Sequence, residues 1–450
     1  MVTVCFYFQV HQPRRLRPYS IFDVGNNQNY FDDKKNEEIC KKVANKCYIP
    51  ANKLMLELIK KHNGKFRISY SITGTALEQF EKYSPEVIDL FRELAKTGCV
   101  EFLSETYYHS LSFLYSKEEF REQIELHRKK IKELFNYEPK VFRDTELIYN
   151  NELANYIEGM GYKGILAEGA DHVLGWRSPN FLYTPTTCKS IKLLLKNYKL
   201  SDDIAFRFSN KSWAEYPLTA DKFEKWVSAA NGNGNTINLF MDYETFGEHQ
   251  WEDTGIFEFM RHMPEHILRH GDNNFLTPSE VVDRYNSISE LDIHSFISWA
   301  DLERDLTAWL GNKMQQTSMK EVYVLEEFVK KTKDIKLIED WRNLLTSDHF
   351  YYMCTKWFSD GDVHKYFNPY DSPYESFIIF MNILNDVILR TKEHRSAVEK
   401  SEDKKNRIKK HGEADNKETE TVEDNQETVE EEKEEHKKHA EPHNPHKKHH

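Results

Sequence analysis

The chain has 450 residues, a formal net charge of −12 and 13% aromatic residues. That length allows a large core and two or three units, and the acidity excludes a general nucleic-acid binder, whose electrostatic footprint is basic. No apolar run approaches the roughly 18 residues that a membrane span needs.

Met1 leads directly into VTVCFYFQV, without a basic n-region or a small-residue cleavage site. This reads as a first core strand rather than a signal peptide. The six cysteines are scattered without a CxxC pair, as in a reducing compartment. A soluble, cytoplasmic protein is expected.

The first strand, Val2–Val10, ends in His11-Gln12-Pro13. Arg14–Asn36 is polar and reads as a long loop. A helix over Pro50–His62 turns Leu54, Leu58 and Ile59 inward and stops at Asn63-Gly64. Strand Phe66–Ile72 and helix Pro85–Thr97 follow. Strand Cys99–Ser104 then runs into Glu105-Thr106-Tyr107-Tyr108-His109. Lys117–Phe135 is a long amphipathic helix. Strand Lys140–Arg143 precedes Asp144-Thr145-Glu146, helix Asn150–Met160 is closed by Gly161, and strand Gly164–Ala167 runs into Glu168 and His172. Ile191–Leu195 and Ile204–Phe208 compete for the sixth strand. After helix Asp221–Ala229 a seventh strand ends at Asp242-Tyr243-Glu244, and a strand that persists through Tyr243 puts both acids on one face.

Strands alternating with helices build a mostly parallel sheet. Clusters of His, Asp or Glu follow Val10, Ser104, Arg143, Ala167 and Met241. In a barrel of such units the C-terminal strand ends assemble one site. The expected fold is therefore α/β, a distorted (β/α)7 barrel over residues 1–252. A mostly helical region over 253–392 completes the cleft, with helices at Gly255–His270, Pro278–Tyr285, Leu302–Gln316, Ser318–Lys331, Ile335–Ser347 and Pro373–Thr391. Within it Asp292–Ser298 reads as extended and leads into Trp299-Ala300-Asp301. Residues 393–450 change composition to a charged, His-rich tail with too few apolar residues to offset its ordering entropy.

Glu146 and Asp242 end different strands, and two carboxylates from different strands are what glycoside hydrolysis needs. Taken singly, Glu146 reads better as a helix-start acid satisfying free N–H groups. The set of motifs goes further. His11-Gln12-Pro13, Gly98-Cys99-Val100-Glu101, Thr145-Glu146, Asp242-Tyr243-Glu244-Thr245-Phe246-Gly247 and the run Ser298–Gln315 occur in this order. In these five regions the chain resembles glycoside hydrolase family 57, over about residues 1–390, and is most similar to the archaeal α-amylase branch.

The resemblance implies a retaining, two-step mechanism without metal or cofactor, acting on the α-1,4 bonds of an α-glucan polysaccharide or maltooligosaccharide. It matches Glu146 to the nucleophile and Asp242 to the general acid that becomes the general base. By the same matching His11 and Glu101 line the sugar subsite next to the scissile bond. Gln12, Glu244, Trp299, Asp301 and Trp309 are further substrate-binding candidates, and Glu168 a supporting one. A 4-α-glucanotransferase shares the same covalent intermediate and remains an alternative. So do a metal-dependent hydrolase or deacetylase built on His11, His109, His172 and His249, and a non-catalytic glucan binder. The sequence assigns no oligomeric state. Deleting everything after about Arg395 is expected to leave activity and melting temperature nearly unchanged, as checked by thermal unfolding of the truncated chain.

Overall fold

A computed structural model of the chain describes residues 2–356 and 368–397. Its strands, in chain order, are β1 (Thr3–Val10), β2 (Ile68–Ile72), β3 (Val100–Phe102), β4 (Val141–Arg143), β5 (Gly164–Glu168), β6 (Tyr183–Pro185), β7 (Lys192–Lys196), β8 (Thr236–Asp242), β9 (Asn274–Phe275) and β10 (Ser289–Leu291). β1 is buried along its whole length. A strand with both faces covered is largely apolar, and in TVCFYFQV only Thr3 and Gln9, near its two ends, are polar. It pairs in parallel with β2 on one edge and with β8 on the other, from Thr3↔Thr236 to Gln9↔Asp242.

Two sheets result, ordered β3-β2-β1-β8 and β10-β6-β7-β5-β4, with β9 beside the start of β1. Narrow seams join them. At one, Ser104 N–H donates to Val141 O (3.0 Å) and Arg143 N–H to Ser104 O (2.9 Å). At the other, Asn197 N–H donates to Asn238 O (2.9 Å), and the Asn238 amide donates to Leu195 O (2.8 Å). β1, β2, β3, β4, β5, β7 and β8 thus form the distorted ring of parallel strands expected from the sequence. β6 runs antiparallel to β7 outside it, and β10 pairs with β6.

The period-2 alternation of β1 sorts its side chains. Val4, Phe6, Phe8 and Val10 pack outward against the helices. Cys5 and Tyr7 point into the ring, where Leu103, Val141, Leu166, Leu194, Phe240 and Val281 fill the space. Val281 comes from the helix Pro278–Arg284, which therefore packs into the interior. Toward the C-terminal strand ends the filling turns polar, with Gln9, Glu105 and Arg143 all buried.

The helices Lys117–Phe135, Asn151–Gly159 and Ala220–Ser228 lie where periodicity placed them. The structure completes, decides or corrects several local readings. Helix Asp33–Val43 occupies part of the expected loop, and Gly74–Tyr83 is helical because Thr73 caps the backbone N–H of Ala76 (3.2 Å). Ile191–Leu195 wins the sixth ring position, since Asn197 caps a helix, Tyr198–Ala205, that takes up Ile204. The expected helix over 302–316 is broken. Asp301 and Arg304 adopt φ of 55° and 51°, the helix Thr307–Leu310 is short, and a capping box at Asn312 starts Lys313–Val324 afresh. The extended segment lies earlier, as β10, while Ile297 makes an isolated antiparallel bridge to Tyr149.

Residues up to Val387 form one compact unit, and the described residues of the second, 388–397, are helical. The tail expected over 393–450 lies outside the described residues from 398 onward. No helix among the described residues is long and apolar enough to cross a membrane.

One glycine controls the loop after β8. Gly247 has φ 112°, and a Cβ there would run into the Lys46 carbonyl oxygen. Gly247→Ala combines a left-handed backbone with a backbone clash, which together cost about 3 kcal/mol. The melting temperature is expected to fall by roughly 3–5 °C, read by calorimetry.

Candidate active site

The C-terminal strand ends deliver their polar clusters to one cleft of about 490 Å³. His11 enters from β1, His109 from the turn after β3, Glu146 from β4, Lys196 from β7, and Asp242 and Glu244 from β8. β8 ends at Asp242 and gives way to a 3-10 turn, Tyr243–Thr245, yet both acids still line the cleft. The far wall is built by Trp299, Asp301 and Arg304 from one loop and by Asp348 and Tyr351 from the helix Ser347–Tyr351.

Glu146 sits in a 3-10 turn at φ 59°, a conformation rare for a residue with a Cβ. The turn is held because Trp299 N–H donates to Glu146 O (3.1 Å). The Trp299 indole N–H donates to the carboxylate Oε2 (2.7 Å), and His109 Nε2 lies 3.1 Å from Oε1. Burial opposes ionisation of Glu146. The bond from His109, its charge, Arg143 and the Trp299 donor outweigh that and hold the group below the usual carboxylate range.

Asp242 has the opposite setting. Burial and then the charge of Glu146 push it up to about 6, against the pull of Arg143 and Lys196. Glu244 is pushed up to about 8 by burial and by Asp242, and the Tyr48 hydroxyl donates to it. Gln12 donates to Tyr48 Oη (3.0 Å) and so buttresses Glu244 from behind.

His11 is 2.9 Å from Thr73 Oγ1 through Nδ1 and 2.9 Å from Asp348 Oδ2 through Nε2. Its ring stacks on His109 at 4.0 Å. Burial, then the His109 charge, lower its pKa. His11, His109 and Asp348 present ligand atoms within 4.8 Å of one another. Every ring nitrogen of the two histidines is already bonded, so this set fits a hydrogen-bond network better than a metal.

Of the substrate-binding candidates, His11, Gln12, Glu244, Trp299 and Asp301 line the cleft. Two do not. Glu101 lies on β3, four residues upstream of the strand's polar end, and accepts from Ser279 N–H (2.8 Å) near the start of the helix packed into the ring. Glu105 is the acid from that strand which meets His109. Trp309 is 1% exposed and packs 6.3 Å from Tyr351, so it supports the wall from behind. Trp299 is less a free stacking platform than a fixed one, with Arg143 and Lys196 over its ring at 5.1 and 5.4 Å. Glu168, at the end of β5, pairs with Arg304 (2.7 Å) and Lys196 (3.7 Å) and orients these cleft-lining cations.

Arg143, Glu105 and Asp348 did not emerge as candidates. Arg143 had a signal, because it shares the inward face of β4 with Val141. Asp348 had none, since it reaches His11 across 337 residues of sequence.

Comparison with known proteins gives the family. The profile described as glycosyl hydrolase family 57 matches residues 5–294. A Methanocaldococcus jannaschii protein named "Putative alpha-amylase" is 47% identical, over 91% of this chain and 88% of its own length. The α-amylase of Pyrococcus horikoshii is 23% identical over 68% of this chain and 45% of its own. Among solved structures, a family-57-type branching enzyme from Pyrococcus horikoshii shares the fold with a TM-score of 0.62 at 14% identity, covering 86% of this chain and 88% of that one. The 4-α-glucanotransferase from Thermococcus litoralis does so with a TM-score of 0.56 at 17% identity, over 86% and 59%. With the family profile spanning β1 to β10 and a relative close to half identical over nearly the whole length, the chain belongs to glycosyl hydrolase family 57 and is a glycoside hydrolase.

Proposed function

We propose that the protein cleaves α-1,4-glucosidic bonds of starch- or glycogen-like α-glucans with retention of configuration, as an α-amylase. The observation that carries this reading is the opposed setting of two carboxyl groups in one cleft, Glu146 held ionised and Asp242 held protonated to about pH 6. A retaining glycosidase needs such a pair. The name borne by the 47%-identical relative supports the substrate class.

In the first step Glu146 attacks the anomeric carbon while Asp242 gives its proton to the departing glycosidic oxygen. The bond to the leaving sugar breaks as the bond to Glu146 forms. In the second step Asp242, now a carboxylate, takes a proton from water. The water oxygen attacks the anomeric carbon and Glu146 departs. Two inversions give net retention. His11, Gln12, Glu244, Asp301 and Asp348 offer hydrogen-bond partners for the sugar hydroxyls, and Trp299 closes the wall beside Glu146.

Incubation with maltoheptaose across a temperature range, with products resolved by length, tests the reading. Shorter products alone are expected. Products both longer and shorter would replace hydrolysis by transfer, and an unchanged substrate with folded protein would remove the α-glucan assignment. Glu146→Gln keeps the volume but removes the nucleophile, so turnover should fall by about 10⁴-fold or more with little change in melting temperature.

The pH profile follows from the two settings. Activity requires Glu146 ionised and Asp242 protonated. kcat/KM should therefore rise as pH passes upward through the depressed Glu146 value and fall as it passes upward through about 6, two limbs that belong to the pair. Lys196 stabilises the Asp242 carboxylate. Lys196→Gln should thus move the alkaline limb upward, by roughly half a unit. An alkaline limb that stays in place would argue against Asp242 as the acid.

A further inference from the structure

The inference rests on the assignment of Glu146 as nucleophile and deepens it. We propose that His109 is a positioning residue, a lasting imidazolium that donates to Glu105 through one nitrogen and to Glu146 through the other, and thereby keeps the nucleophile ionised and oriented.

The geometry decides the protonation state. His109 Nδ1 lies 3.3 Å from Glu105 Oε2 and Nε2 3.1 Å from Glu146 Oε1. A neutral imidazole has one N–H and one lone pair, so one of these carboxylates would face a lone pair. A proton on Glu105 would relieve that, but its surroundings are all donors. Gln9 Nε2 approaches both of its oxygens at 3.2 and 3.4 Å, with the amide held that way round by the Tyr7 hydroxyl donating to Gln9 Oε1. Ser71 Oγ donates to Oε1, and Arg143 Nη1 lies 3.6 Å from Oε2. Glu146 carries a donor on its other oxygen, the Trp299 indole, and lies in the field of Arg143, and both favour its anion. The ring is therefore the group placed to carry the extra proton.

The neighbours fit a cation there. His11, stacked on the ring, has one nitrogen on the Thr73 hydroxyl and the other on Asp348, which a neutral ring satisfies. Asp348 adds a negative charge, and Arg143 is the opposing like charge. Asp144 and Asp242, which also feel His109, are both raised toward the neutral form by burial. The pKa of His109, lowered by burial but raised more by Glu105 and Glu146, comes to about 9. Fully buried Glu105 reaches the cleft through this ring and through Gln9, and of the two the ring is the one whose charge it sustains.

The test uses a 5-fluoro-α-maltosyl fluoride, whose fluoride leaves without a proton from Asp242. Labelling of the intact protein is followed by mass, and the site by peptide mapping. The parent should be labelled on Glu146. His109→Gln, which leaves a neutral donor, should be labelled about 100-fold more slowly, with reagent affinity changed little. The acid limb of labelling should move to higher pH, which a merely structural role would not produce. Labelling within about threefold of the parent and an unmoved acid limb would overturn the proposal while leaving the nucleophile in place. Absence of label on Glu146 in the folded parent would overturn the nucleophile assignment and this inference with it. Nitrogen-15 spectra of the parent, with His109 assigned by difference, decide the matter even if the variant fails to fold. Two protonated ring nitrogens near neutral pH are expected, and a neutral ring would sink the proposal.

Discussion

Charge is buried at the C-terminal end of this barrel, and the site depends on how it is balanced. Arg143 and Glu105 are fully buried side by side. Removing each from water is expensive by several kcal/mol, and only close opposite charge and hydrogen bonds offset it. The arrangement is deliberately uneven. Glu146 receives donors on both oxygens, while Asp242 is left to burial and to its neighbour's charge. Two carboxyl groups with the same intrinsic chemistry are thereby driven apart, one toward the anion and one toward the acid. On the proposed mechanism that separation, rather than the presence of two acids, is what bond cleavage requires.

The fold supplies the balance by bringing distant chain segments to one level. Arg143 descends from β4, Glu105 from beyond β3 and Gln9 from β1, and each is placed by the in-and-out alternation of its strand. Strain is placed at the same level. Among the described residues, Asn63, Asn136 and Lys333 take positive φ at helix C-termini, where such backbone is ordinary. His109, Glu146, Leu147, Asp301 and Arg304 take it at or beside the cleft. Such conformations persist only where the surroundings over-determine them. Here the Trp299 backbone and indole both hold Glu146, and the ion pair with Glu168 fixes Arg304.

Much of this was legible in the sequence, because its strongest signals are periodic. The ring strands and the helices Lys117–Phe135 and Ala220–Ser228 follow from alternation and amphipathic spacing. Glu146 and Asp242 stand out as acids at strand ends, and the family resemblance singled them out as a pair. What was not legible was tertiary. Glu101 came from the resemblance and stands within the strand, whereas Glu105 stands in the polar cluster after it and reaches the cleft end of the ring. Trp309 looked like a sugar platform, but a broken helix turned it into the wall. Thr73 and Asn197 start helices that no reading of the sequence had placed, because a side-chain cap fixes the first turn locally.

On the proposed mechanism the acid–base set governs only the breaking of the glycosidic bond, since a glycosyl-Glu146 intermediate is common to hydrolysis and to transfer. The acceptor is selected farther out, where water and a sugar hydroxyl compete for the same attack line. Two large apolar side chains stand there, Phe206 at 62% and Leu302 at 86% exposure, both lining the cleft. Phe206 follows the helix Tyr198–Ala205, and Leu302 sits in the loop that carries Trp299 and Asp301. Apolar surface of this kind packs against the C–H face of a sugar but gains nothing from water. On that mechanism an acceptor sugar would meet this apolar rim, whereas the charges at the base are common to hydrolysis and transfer.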